Sequence, residues 1–422
     1  MNIVDDHRLL LSGREYVPIV IGGMGVNISV DRLVLEVCRL GGIGHISDAM
    51  GGHVADQKFG TKFTKIKAAR HRASRDSLDK SAVKFDPQEI YQAQLLLVED
   101  VMGRKTGAGA VFINIMEKLT MGASADTLRA RATAALDGGI DGITLSAGLH
   151  TNTLKLIADH PRFRDASIGI IVSSVRALKI FLRSAARVDR LPDYVVVEGP
   201  LAGGHLGFGE DWQEYDLATI VSEVLRFLES ESLAIPVIPA GGIFTGTDAA
   251  KFLDQGAAGV QLATRFTVTK ESGLPDKVKQ IYFGADEDDV IVSSMSATGY
   301  PLRMLSSSPC RHSNVKPQCE PFGYTLSKTG TCLYLDAYDA VPVDERGQKL
   351  EVRDKMCLCY HFSKYNCYTC GHYVYRLKDT TRRAADGSYE LLSAEHVFRD
   401  YQFSRDHEIT LPDAAGQSAE MA

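Results

Sequence analysis

The sequence has no apolar run long enough to span a membrane and no basic, apolar leader at its start. Its two longest uncharged stretches, residues 17–30 and 232–247, contain proline and several glycines. Both fall short of the roughly 20 apolar residues that a membrane-spanning helix needs. The first residues include Asp5, Asp6 and Arg8 where a secretory signal would have a basic start and an apolar core. The sequence therefore predicts a cytoplasmic protein with no membrane partner.

Positive charge is not in excess either. The 422 residues include 47 Lys and Arg against 53 Asp and Glu, so the formal net charge is −6. A dedicated nucleic-acid binder needs clustered positive charge to contact phosphates, and we therefore expect no nucleic-acid partner. Hydrophobic residues make up 45% of the chain, an ordinary value for a globular protein with a large core.

Cysteine is nearly absent from the first 300 residues. Only Cys38 lies there, and the other seven of the eight cysteines fall between Cys310 and Cys370. This change in composition predicts a boundary near residue 305, with one domain over residues 1–305 and a Cys-rich extension over residues 306–410. The last residues, 411–422, are expected to form a disordered tail.

Short apolar, β-branched runs before residue 305 predict buried parallel strands. These runs cover residues 17–21, 110–115, 142–145, 168–172, 194–197, 236–239 and 259–262. Helix-compatible segments lie between them at residues 30–40, 123–136, 175–185, 217–228 and 247–255. Thr247 is the expected cap of the last helix. About seven or eight strand–helix units in this length favour the α/β class and a closed (β/α)8 TIM barrel over an open sheet.

Two late strands end in residues suited to a phosphate group. Residues 235–242 (IPVIPAGG) place Gly241 and Gly242 between a strand and a helix, where backbone N–H groups and the helix dipole favour an anion. One strand later, residues 260–265 (VQLATR) offer Ala263 and Thr264. A tight turn would explain the glycine pair alone, but the two motifs on neighbouring strands predict one shared phosphate site.

Residues 195–207 (VVVEGPLAGGHLG) are the second centre. A strand ends at Glu198, and a flexible glycine-rich loop is then expected to present His205 above the barrel. Histidine titrates near neutral pH and can act as a general acid, a general base or an oxyanion partner. Glu198 is expected to orient a ligand hydroxyl or the loop amides. The alternative for His205 is a structural histidine.

Two further strand ends carry candidate ligand contacts. Gly22, Gly23 and Met24 follow the first predicted strand, where Met24 could lie against an aromatic ring. Asn114 ends the next predicted strand, and its amide could pair with the edge of a heterocycle. The alternatives are a tight turn with a core methionine and a turn cap.

An insertion at about residues 50–110 is strongly basic. Nine Lys or Arg residues fall within residues 58–84, against two Asp. Blocks of charge are usually solvated, so a solvent-exposed helical insertion is the favoured interpretation. The alternative is a binding surface for a phosphorylated cofactor or an acidic carrier protein.

The Cys-rich extension predicts a metal site. Cys357 and Cys359 form a C-x-C pair, and Cys367 and Cys370 form a C-x2-C pair within the same short stretch. Cys310, Cys319 and Cys332 are further candidate ligands. In a cytoplasmic protein such clustering points to metal before disulfides, with zinc or an iron–sulfur cluster as the options. Free buried thiols or redox disulfides are the alternatives.

Residues 16–305 resemble the FMN-dependent nitronate monooxygenase family, which includes related enoyl-acyl-carrier-protein reductases. The matching segments are PIVIGGMG (18–25), LGGIGHIS (40–47), FINIM (112–116), VVVEGPLAGGHLG (195–207), IPVIPAGGI (235–243), GVQLATRF (259–266), KES (270–272) and SATGYPLRML (296–305). They follow the family order over almost the whole predicted barrel.

The resemblance implies a TIM barrel that holds non-covalent FMN, with His205 as the catalytic residue. The implied cofactor contacts are Gly22, Gly23 and Met24 at the isoalloxazine, Asn114 at its polar edge or the ribityl chain, Ser173 and Glu198 at neighbouring polar groups, Gly203 and Gly204 beside the flavin, and Gly241, Gly242, Ala263 and Thr264 at the phosphate. This chain has Ala263 where the family usually has glycine. A methyl group fits there only if φ is negative.

The resemblance implies oxidation of alkyl nitronates with O2 as the activity. An enoyl thioester reductase or a flavin or quinone reductase that uses NAD(P)H is the alternative, and an acyl carrier protein would then be a partner. A redox sensor or scaffold carrying flavin and metal is an alternative of another class. The flavin favours a 4Fe–4S cluster over zinc in the extension, and the family suggests a homodimer.

Overall fold

The computed structural model describes residues 2–117, 124–323 and 331–411. Its strands are β1 (Leu9–Leu11), β2 (Arg14–Tyr16), β3 (Ile19–Ile21), β4 (Ile43–Ser47), β5 (Ala110–Met116), β6 (Gly142–Ser146), β7 (Ser167–Val172), β8 (Tyr194–Glu198), β9 (Gly204–His205), β10 (Val237–Ala240), β11 (Val260–Leu262), β12 (Val290–Ser293) and β13 (Leu302–Leu305). Its helices are α1 (Asp31–Arg39), α2 (Gly51–Phe59), α3 (Phe63–Arg70), α4 (Pro87–Gly103), α5 (Ser124–Asp137), α6 (Thr153–Ile157), α7 (Val175–Ala185), α8 (Leu217–Ser230), α9 (Gly246–Asp254), α10 (Thr264–Thr267), α11 (Asp276–Phe283), α12 (Cys319–Phe322), α13 (Leu333–Ala340), α14 (Leu358–Ser363) and α15 (Ala394–Phe403).

Eight parallel strands close into a barrel. Their order is β3-β4-β5-β6-β7-β8-β10-β11, and β11 pairs back onto β3. Helices lie between the strands along the chain, so the predicted (β/α)8 TIM barrel is confirmed. All seven predicted strand runs overlap a barrel strand. The strand that they omit is β4, whose sequence IGHIS interrupts its apolar pattern with a glycine and with His45, a histidine buried inside the barrel.

A hairpin covers the amino ends of the barrel strands. Strands β1 and β2 pair antiparallel, and their buried side chains pack against residues at the starts of barrel strands, among them Ile43, Ala110 and Tyr194. This hairpin fills one end of the barrel with apolar side chains. The carboxyl ends of the strands are the end at which a ligand can bind.

Helix α15 packs between α1 and α9 on the outside of the barrel. Its buried side chains include Val397, Phe398 and Tyr401, and the Tyr401 ring stacks on Phe266 with 6.1 Å between ring centroids. Helix α10, which follows the eighth strand, has only four residues. Because of this, α15 supplies the helical cover that the short α10 does not.

The Cys-rich extension contributes to the barrel face. Strand β13 pairs antiparallel with both β12 and β9, and β9 lies in the segment after barrel strand β8. All three strands precede the extension, which contacts β13 through a bridge between Thr369 and Met304. This sheet lies at the carboxyl end of β8, where the sequence predicts the site.

The basic insertion is only partly solvated, which corrects the favoured interpretation of its charges. Lys67 and Lys80 are each 3% exposed. The Lys67 ammonium donates to the carbonyl oxygens of Cys319 and Glu320, each at 2.8 Å, and Lys80 pairs with the Glu320 carboxylate at 2.5 Å. Lys67 thus supplies a donor to two carbonyl groups of α12, and Lys80 neutralises the buried Glu320 carboxylate of the same helix. They fasten the insertion to the extension.

The cap of α9 also differs from the prediction. The helix begins at Gly246, so Thr245 is its cap and Thr247 lies inside the first turn. The Thr245 hydroxyl accepts from the Asp248 N–H at 3.1 Å, and the Asp248 carboxylate accepts from the Thr245 N–H at 3.0 Å. This reciprocal pair stabilises the helix start beside the predicted phosphate site.

No helix in the described ranges is long and apolar enough to cross a membrane. The predicted tail, residues 411–422, lies outside the described residues except for Leu411.

Candidate active site

The barrel gathers most of the predicted site residues at one face. Strands β10, β11 and β3 are consecutive neighbours in the barrel, so the segments that follow them lie side by side. These segments contain Gly241 and Gly242, Ala263 and Thr264, and Gly22 to Met24. Strands β5, β7 and β8 bring Asn114, Ser173 and Glu198 to the same ends of the barrel.

The predicted phosphate site has the backbone geometry of an anion cradle. Gly241 and Gly242 have φ values of +93° and +85°, a region that only glycine adopts without strain. A Cβ on Gly241 would also lie 2.9 Å from the backbone nitrogen of Ala202. Ala263 has φ −143°, which confirms that its methyl group is accommodated. Thr264 follows it at the start of α10.

Gly23 and Asn114 form a second close contact on this face. A side chain on Gly23 would overlap the Asn114 side chain, and the Asn114 amide nitrogen donates to the Gly23 carbonyl oxygen at 3.3 Å. The Asn114 Oδ1 atom is buried and has no hydrogen-bond partner among the described residues. The Ser146 hydroxyl, at the end of β6, is likewise buried and has no hydrogen-bond partner among the described residues. Because unpaired buried polar atoms are costly, both atoms fit a bound polar ligand.

Met24 lies where the chain leaves β3. Its backbone N–H donates to the Ser29 hydroxyl at 2.5 Å, and that hydroxyl donates in turn to the Gly22 carbonyl oxygen at 3.0 Å. The Met24 side chain is half-buried and packs against the apolar clusters on both sides of the face. These two hydrogen bonds fix the backbone of the loop.

His205 lies on a strand, which corrects the prediction of a flexible loop. Residues Gly204 and His205 form β9, and His205 is paired with Leu302 of β13. The His205 Nε2 atom is 2.8 Å from the Ser296 hydroxyl, which is itself 2.7 Å from the Thr298 hydroxyl. The pairing partners lie in the segment 296–305, so sequence proximity could not reveal them. The imidazole is therefore held in a fixed position.

Burial shifts the titration of both polar side chains near β8. The pKa of His205 is lowered to about 4, because burial disfavours the charged imidazolium. The pKa of Glu198 is raised to about 7, because burial disfavours the carboxylate. At neutral pH His205 is accordingly uncharged, and its imidazole can donate or accept a hydrogen bond. Perturbed pKa values of this kind are typical of functional sites.

Replacing Glu198 by glutamine should stabilise the ligand-free protein at high pH. With the pKa raised from 4.5 to about 7, the stabilising protonated form is fully present below pH 4.5 and is lost as the pH rises to 7. We expect E198Q to raise the free energy of unfolding at pH 8 by about 1–3 kcal/mol, discounted because the side chain is partly open to solvent.

Urea denaturation at pH 4.5 and pH 8 measures this effect. The matched control is E223Q on the exposed side of α8, which we expect to change the free energy of unfolding by less than about 0.5 kcal/mol at either pH. An equal effect of E198Q at both pH values would contradict the assignment.

Ser173 and Gly203 lie beside the His205 strand, of which Gly204 is the first residue. The Ser173 hydroxyl donates to the Gly207 carbonyl oxygen at 3.3 Å, so it holds the chain just after His205. Gly203 packs closely on the backbone of Cys370 and Gly371 in the extension. The predicted cofactor contacts at Gly203 and Gly204 thus lie where the extension meets the barrel.

Sequence reasoning missed Arg303 as a residue that positions this loop. Its side chain is fully buried, and the guanidinium donates to the carbonyl oxygens of Pro200, at 2.7 Å, and Ala202. It also lies 4.5 Å above the ring of Trp212. Burial lowers the pKa of Arg303 to about 10. The segment SATGYPLRML contains Arg303, but its partners lie about a hundred residues away in sequence, and only the fold brings them together.

Extension residues also reach the predicted phosphate site. Gly371 packs so closely on Thr264 that a side chain there would not fit, and the His372 N–H donates to the Leu201 carbonyl oxygen at 3.1 Å. The Cys370 N–H donates to the Arg303 carbonyl oxygen at 3.3 Å. The stretch of residues 370–372 therefore covers part of the face that carries His205.

The predicted metal site has no support in the described part of the chain. There, no three His, Cys, Asp or Glu side chains lie close enough together to hold a metal ion, and no disulfide joins any of the eight cysteines. Cys367 packs with Met304 and Met356, whereas Cys370 packs with Tyr282 and Val374. The left-handed backbone of Tyr368 turns the chain between them. Cys357 and Cys359 likewise pack in different apolar clusters.

The closed barrel, with polar residues gathered at the carboxyl ends of its strands, has the architecture of a TIM-barrel enzyme. The sequence model of the nitronate monooxygenase family matches residues 110–357, which is more than half of the chain. The chain belongs to the nitronate monooxygenase family, and the resemblance drawn from the sequence motifs is confirmed.

Curated relatives match over limited segments. A (3aS,4S,5R,7aS)-5-hydroxy-7a-methyl-1-oxo-octahydro-1H-indene-4-carboxyl-CoA dehydrogenase of Rhodococcus jostii is 36% identical over 115 residues, 27% of this chain and 29% of that protein. A protein of Staphylococcus haemolyticus described as a probable nitronate monooxygenase is 34% identical over 131 residues, 30% of this chain and 36% of that protein. The match spans about a third of the length of these relatives.

Solved structures agree over nearly the whole chain. FabK from Thermotoga maritima covers 91% of each chain with a TM-score of 0.54 and 18% identity. The nitroalkane oxidase from Streptomyces ansochromogenes covers 91% of this chain and 94% of its own, with a TM-score of 0.56 and 18% identity. At this identity the likeness establishes the fold.

Proposed function

We propose that the protein is an FMN-dependent oxidoreductase that oxidises alkyl nitronates with O2. The proposal rests on three features that lie together at the carboxyl ends of the barrel strands. These are the cradle at Gly241 and Gly242, the unpaired buried oxygen of Asn114, and the neutral imidazole of His205. Membership of the nitronate monooxygenase family supports the same activity.

The residues of this face fit FMN. Backbone N–H groups around Gly241, Gly242, Ala263 and Thr264 would hold the phosphate, beside the start of α9. Gly22, Gly23 and Met24 would lie against the ring system, and the Asn114 oxygen would accept a hydrogen bond from it. Bound FMN would supply the redox chemistry, by taking electrons from the substrate and passing them to O2.

The protein's own part is to bind and orient the nitronate. The neutral His205 imidazole would donate a hydrogen bond to the anionic oxygens of the nitronate, since a donor fixed where negative charge resides needs no reorganisation during reaction. Ser296 would set the orientation of the ring through its contact with Nε2. Glu198 and Ser173 would orient polar groups near the flavin.

A reductase that acts on acyl thioesters with NAD(P)H is the second candidate. The Rhodococcus jostii relative carries a carboxyl-CoA substrate in its name, which favours thioester chemistry. An acyl carrier protein would then be a partner, and the cations of the basic insertion that remain exposed, such as Lys65 and Arg72, could contact its acidic surface. A homodimer remains a proposal suggested by the family resemblance.

An absorption spectrum of the anaerobically purified protein tests the proposed function. We expect flavin bands that bleach with an alkyl nitronate and return with O2, but persist with NADH or NADPH. Rapid bleaching by either nucleotide would favour the reductase. The absence of flavin, also after incubation with FMN, would overturn both candidates.

Two glycine variants test whether Gly241 belongs to the site that binds the flavin phosphate. G241A should lose bound flavin, because it combines the strain at φ +93° with a clash against Ala202. G256A is the matched control, since Gly256 has φ +99° and open space around it, on the far side of α9. Equal flavin content in the two variants would contradict the assignment of the cradle.

A further inference from the structure

Asp48 and Arg131 form a buried ion pair beside the carboxyl end of β5. Their side chains are 0% and 2% exposed, and the Arg131 guanidinium donates to the Asp48 carboxylate. Asp48 directly follows β4, and Arg131 lies on α5, the helix that comes after β5. The sequence motifs did not single out either residue, and the proposed reaction does not use their charges.

The pair holds the backbone of β5 on both sides of Ile115. The Asp48 N–H donates to the Asn114 carbonyl oxygen at 3.1 Å. The Met116 N–H donates to the Asp48 carboxylate, with 3.4 Å to each oxygen, and the Arg131 Nη2 atom donates to the Met116 carbonyl oxygen at 2.9 Å. The carbonyl group of Asn114 and both backbone polar groups of Met116 are therefore fixed by these two residues.

The backbone position of Asn114 determines where its side-chain oxygen lies. Asn114 packs so closely on Gly23 that a Cβ on Gly23 would lie 2.3 Å from the Asn114 Cβ atom. The Asn114 amide nitrogen donates to the Gly23 carbonyl oxygen at 3.3 Å. With the nitrogen held there, the Oδ1 atom, which is buried and has no partner among the described residues, is directed to one place only. A shift of the end of β5 would move this oxygen.

Stability alone does not account for two charges at this position. The cost of removing two charges from water roughly cancels their attraction, so well-packed apolar side chains of similar volume would stabilise the fold as well. An apolar pair would not bind the backbone of Asn114 and Met116 in a fixed direction. The two guanidinium nitrogens of Arg131, in contrast, bind the Asp48 carboxylate and the Met116 carbonyl oxygen at the same time.

We propose that Asp48 and Arg131 are positioning residues that orient the Asn114 side chain toward the ring system of FMN. Their effect passes through the backbone of residues 114–116. Without the ion pair, the end of β5 would shift and the Asn114 oxygen would no longer accept its hydrogen bond from the flavin. This inference rests on the proposed function, since it takes FMN as the ligand of this face.

Titration of the full-length protein, freed of flavin, with FMN tests the proposal. We expect D48N to raise the dissociation constant for FMN about three- to tenfold, the usual effect of losing one hydrogen bond. N114A should raise it by a similar factor, because it removes the acceptor itself. The double variant D48N/N114A should bind FMN as N114A does, within about twofold, since Asp48 then has no side-chain oxygen to orient. A merely structural role of Asp48 would weaken binding by the same factor in both backgrounds.

D141N is the matched control, because Asp141 makes the same kind of contact at the opposite end of β5. Its carboxylate accepts from the Val111 N–H at 2.8 Å and pairs with Lys105 at 2.6 Å. We expect D141N to lower the midpoint of urea denaturation but to leave the dissociation constant for FMN within about twofold of that of the unchanged protein.

R131K keeps the test decisive if D48N fails to fold. Lysine retains the buried positive charge but lacks the second nitrogen that binds the Met116 carbonyl oxygen. R131K should therefore weaken FMN binding, and N114A should remove this effect as well. Unchanged FMN binding in both D48N and R131K, or equal weakening with and without the Asn114 side chain, would overturn the positioning role alone. No binding of FMN by the unchanged protein would overturn the proposed function too.

Discussion

Replacing His205 by alanine should lower the turnover number with an alkyl nitronate about 10²- to 10⁴-fold, the usual contribution of one positioned acid–base or hydrogen-bonding side chain. Flavin content remains near that of the unchanged protein, because the phosphate cradle lies after β10 and β11 while His205 lies on β9. Steady-state kinetics, normalised to bound flavin, measures the effect. H312A is the control, since His312 is an exposed side chain of the extension that pairs with Glu351.

The pH profile separates a catalytic His205 from a structural one. With the His205 pKa lowered to about 4, the neutral imidazole is present throughout the neutral range and is lost only as the pH falls through about 4. We expect turnover of the unchanged protein to hold from pH 7 to about pH 5, rather than to fall near the ordinary histidine value of about 6.5. The fall in turnover as the pH drops through about 4 should be absent in H205A, because the titrating imidazole is gone. Turnover of H205A within a few-fold of the unchanged protein would instead favour a sensor or scaffold.

Replacing Asp400 by alanine should cost about 3–5 kcal/mol of the free energy of unfolding, since it leaves a buried cation without its partner. Asp400 on α15 pairs with Arg265 on α10 at 2.6 Å, and each side chain is 1% exposed. The Arg265 guanidinium also lies 4.9 Å from the ring centroid of Tyr401. Because Arg265 directly follows Thr264, we expect D400A to weaken flavin retention as well. Urea denaturation and flavin release on warming measure the two effects.

Two controls test the role of burial in this pair. D159A removes one partner of the pair between Arg129 and Asp159, whose side chains are 48% and 66% exposed, and should cost less than about 1 kcal/mol. The double variant R265M/D400L replaces both charges with apolar groups and should recover most of the lost stability. A cost of D400A no larger than that of D159A would contradict the prediction.

Sequence patterns determined the architecture because each barrel strand is a short local run. Buried parallel strands are apolar throughout, so runs such as residues 194–197 are visible without any tertiary information. The apolar pattern missed strand β4 because His45 lies inside the barrel, where its Nδ1 atom is 2.9 Å from the Ile21 carbonyl oxygen. A buried polar residue satisfied by a distant carbonyl cannot be recognised from its own neighbours in sequence.

Site residues were predictable where they lie at the carboxyl end of a barrel strand, and unpredictable where they depend on pairing between distant segments. Gly241 directly follows β10, and Asn114 lies near the carboxyl end of β5, so both face the same end of the barrel. Ser296 and Arg303 reach the face only because β13 pairs with β9, a contact between segments about a hundred residues apart. The C-x2-C spacing likewise did not reveal that Cys367 packs with Met304 and Met356, whereas Cys370 packs with Tyr282.

The position of α15 has a consequence for how the protein is made. Its partners α1 and α9 are synthesised long before it. The apolar side chains of α1 and α9 that contact α15 therefore stay exposed to solvent while the ribosome translates the whole Cys-rich segment. Such late, long-range contacts slow folding, and exposed apolar flanks favour aggregation of a nascent chain. A truncation before residue 394 would leave these apolar side chains permanently exposed, and the barrel would then depend on chaperones to avoid aggregation.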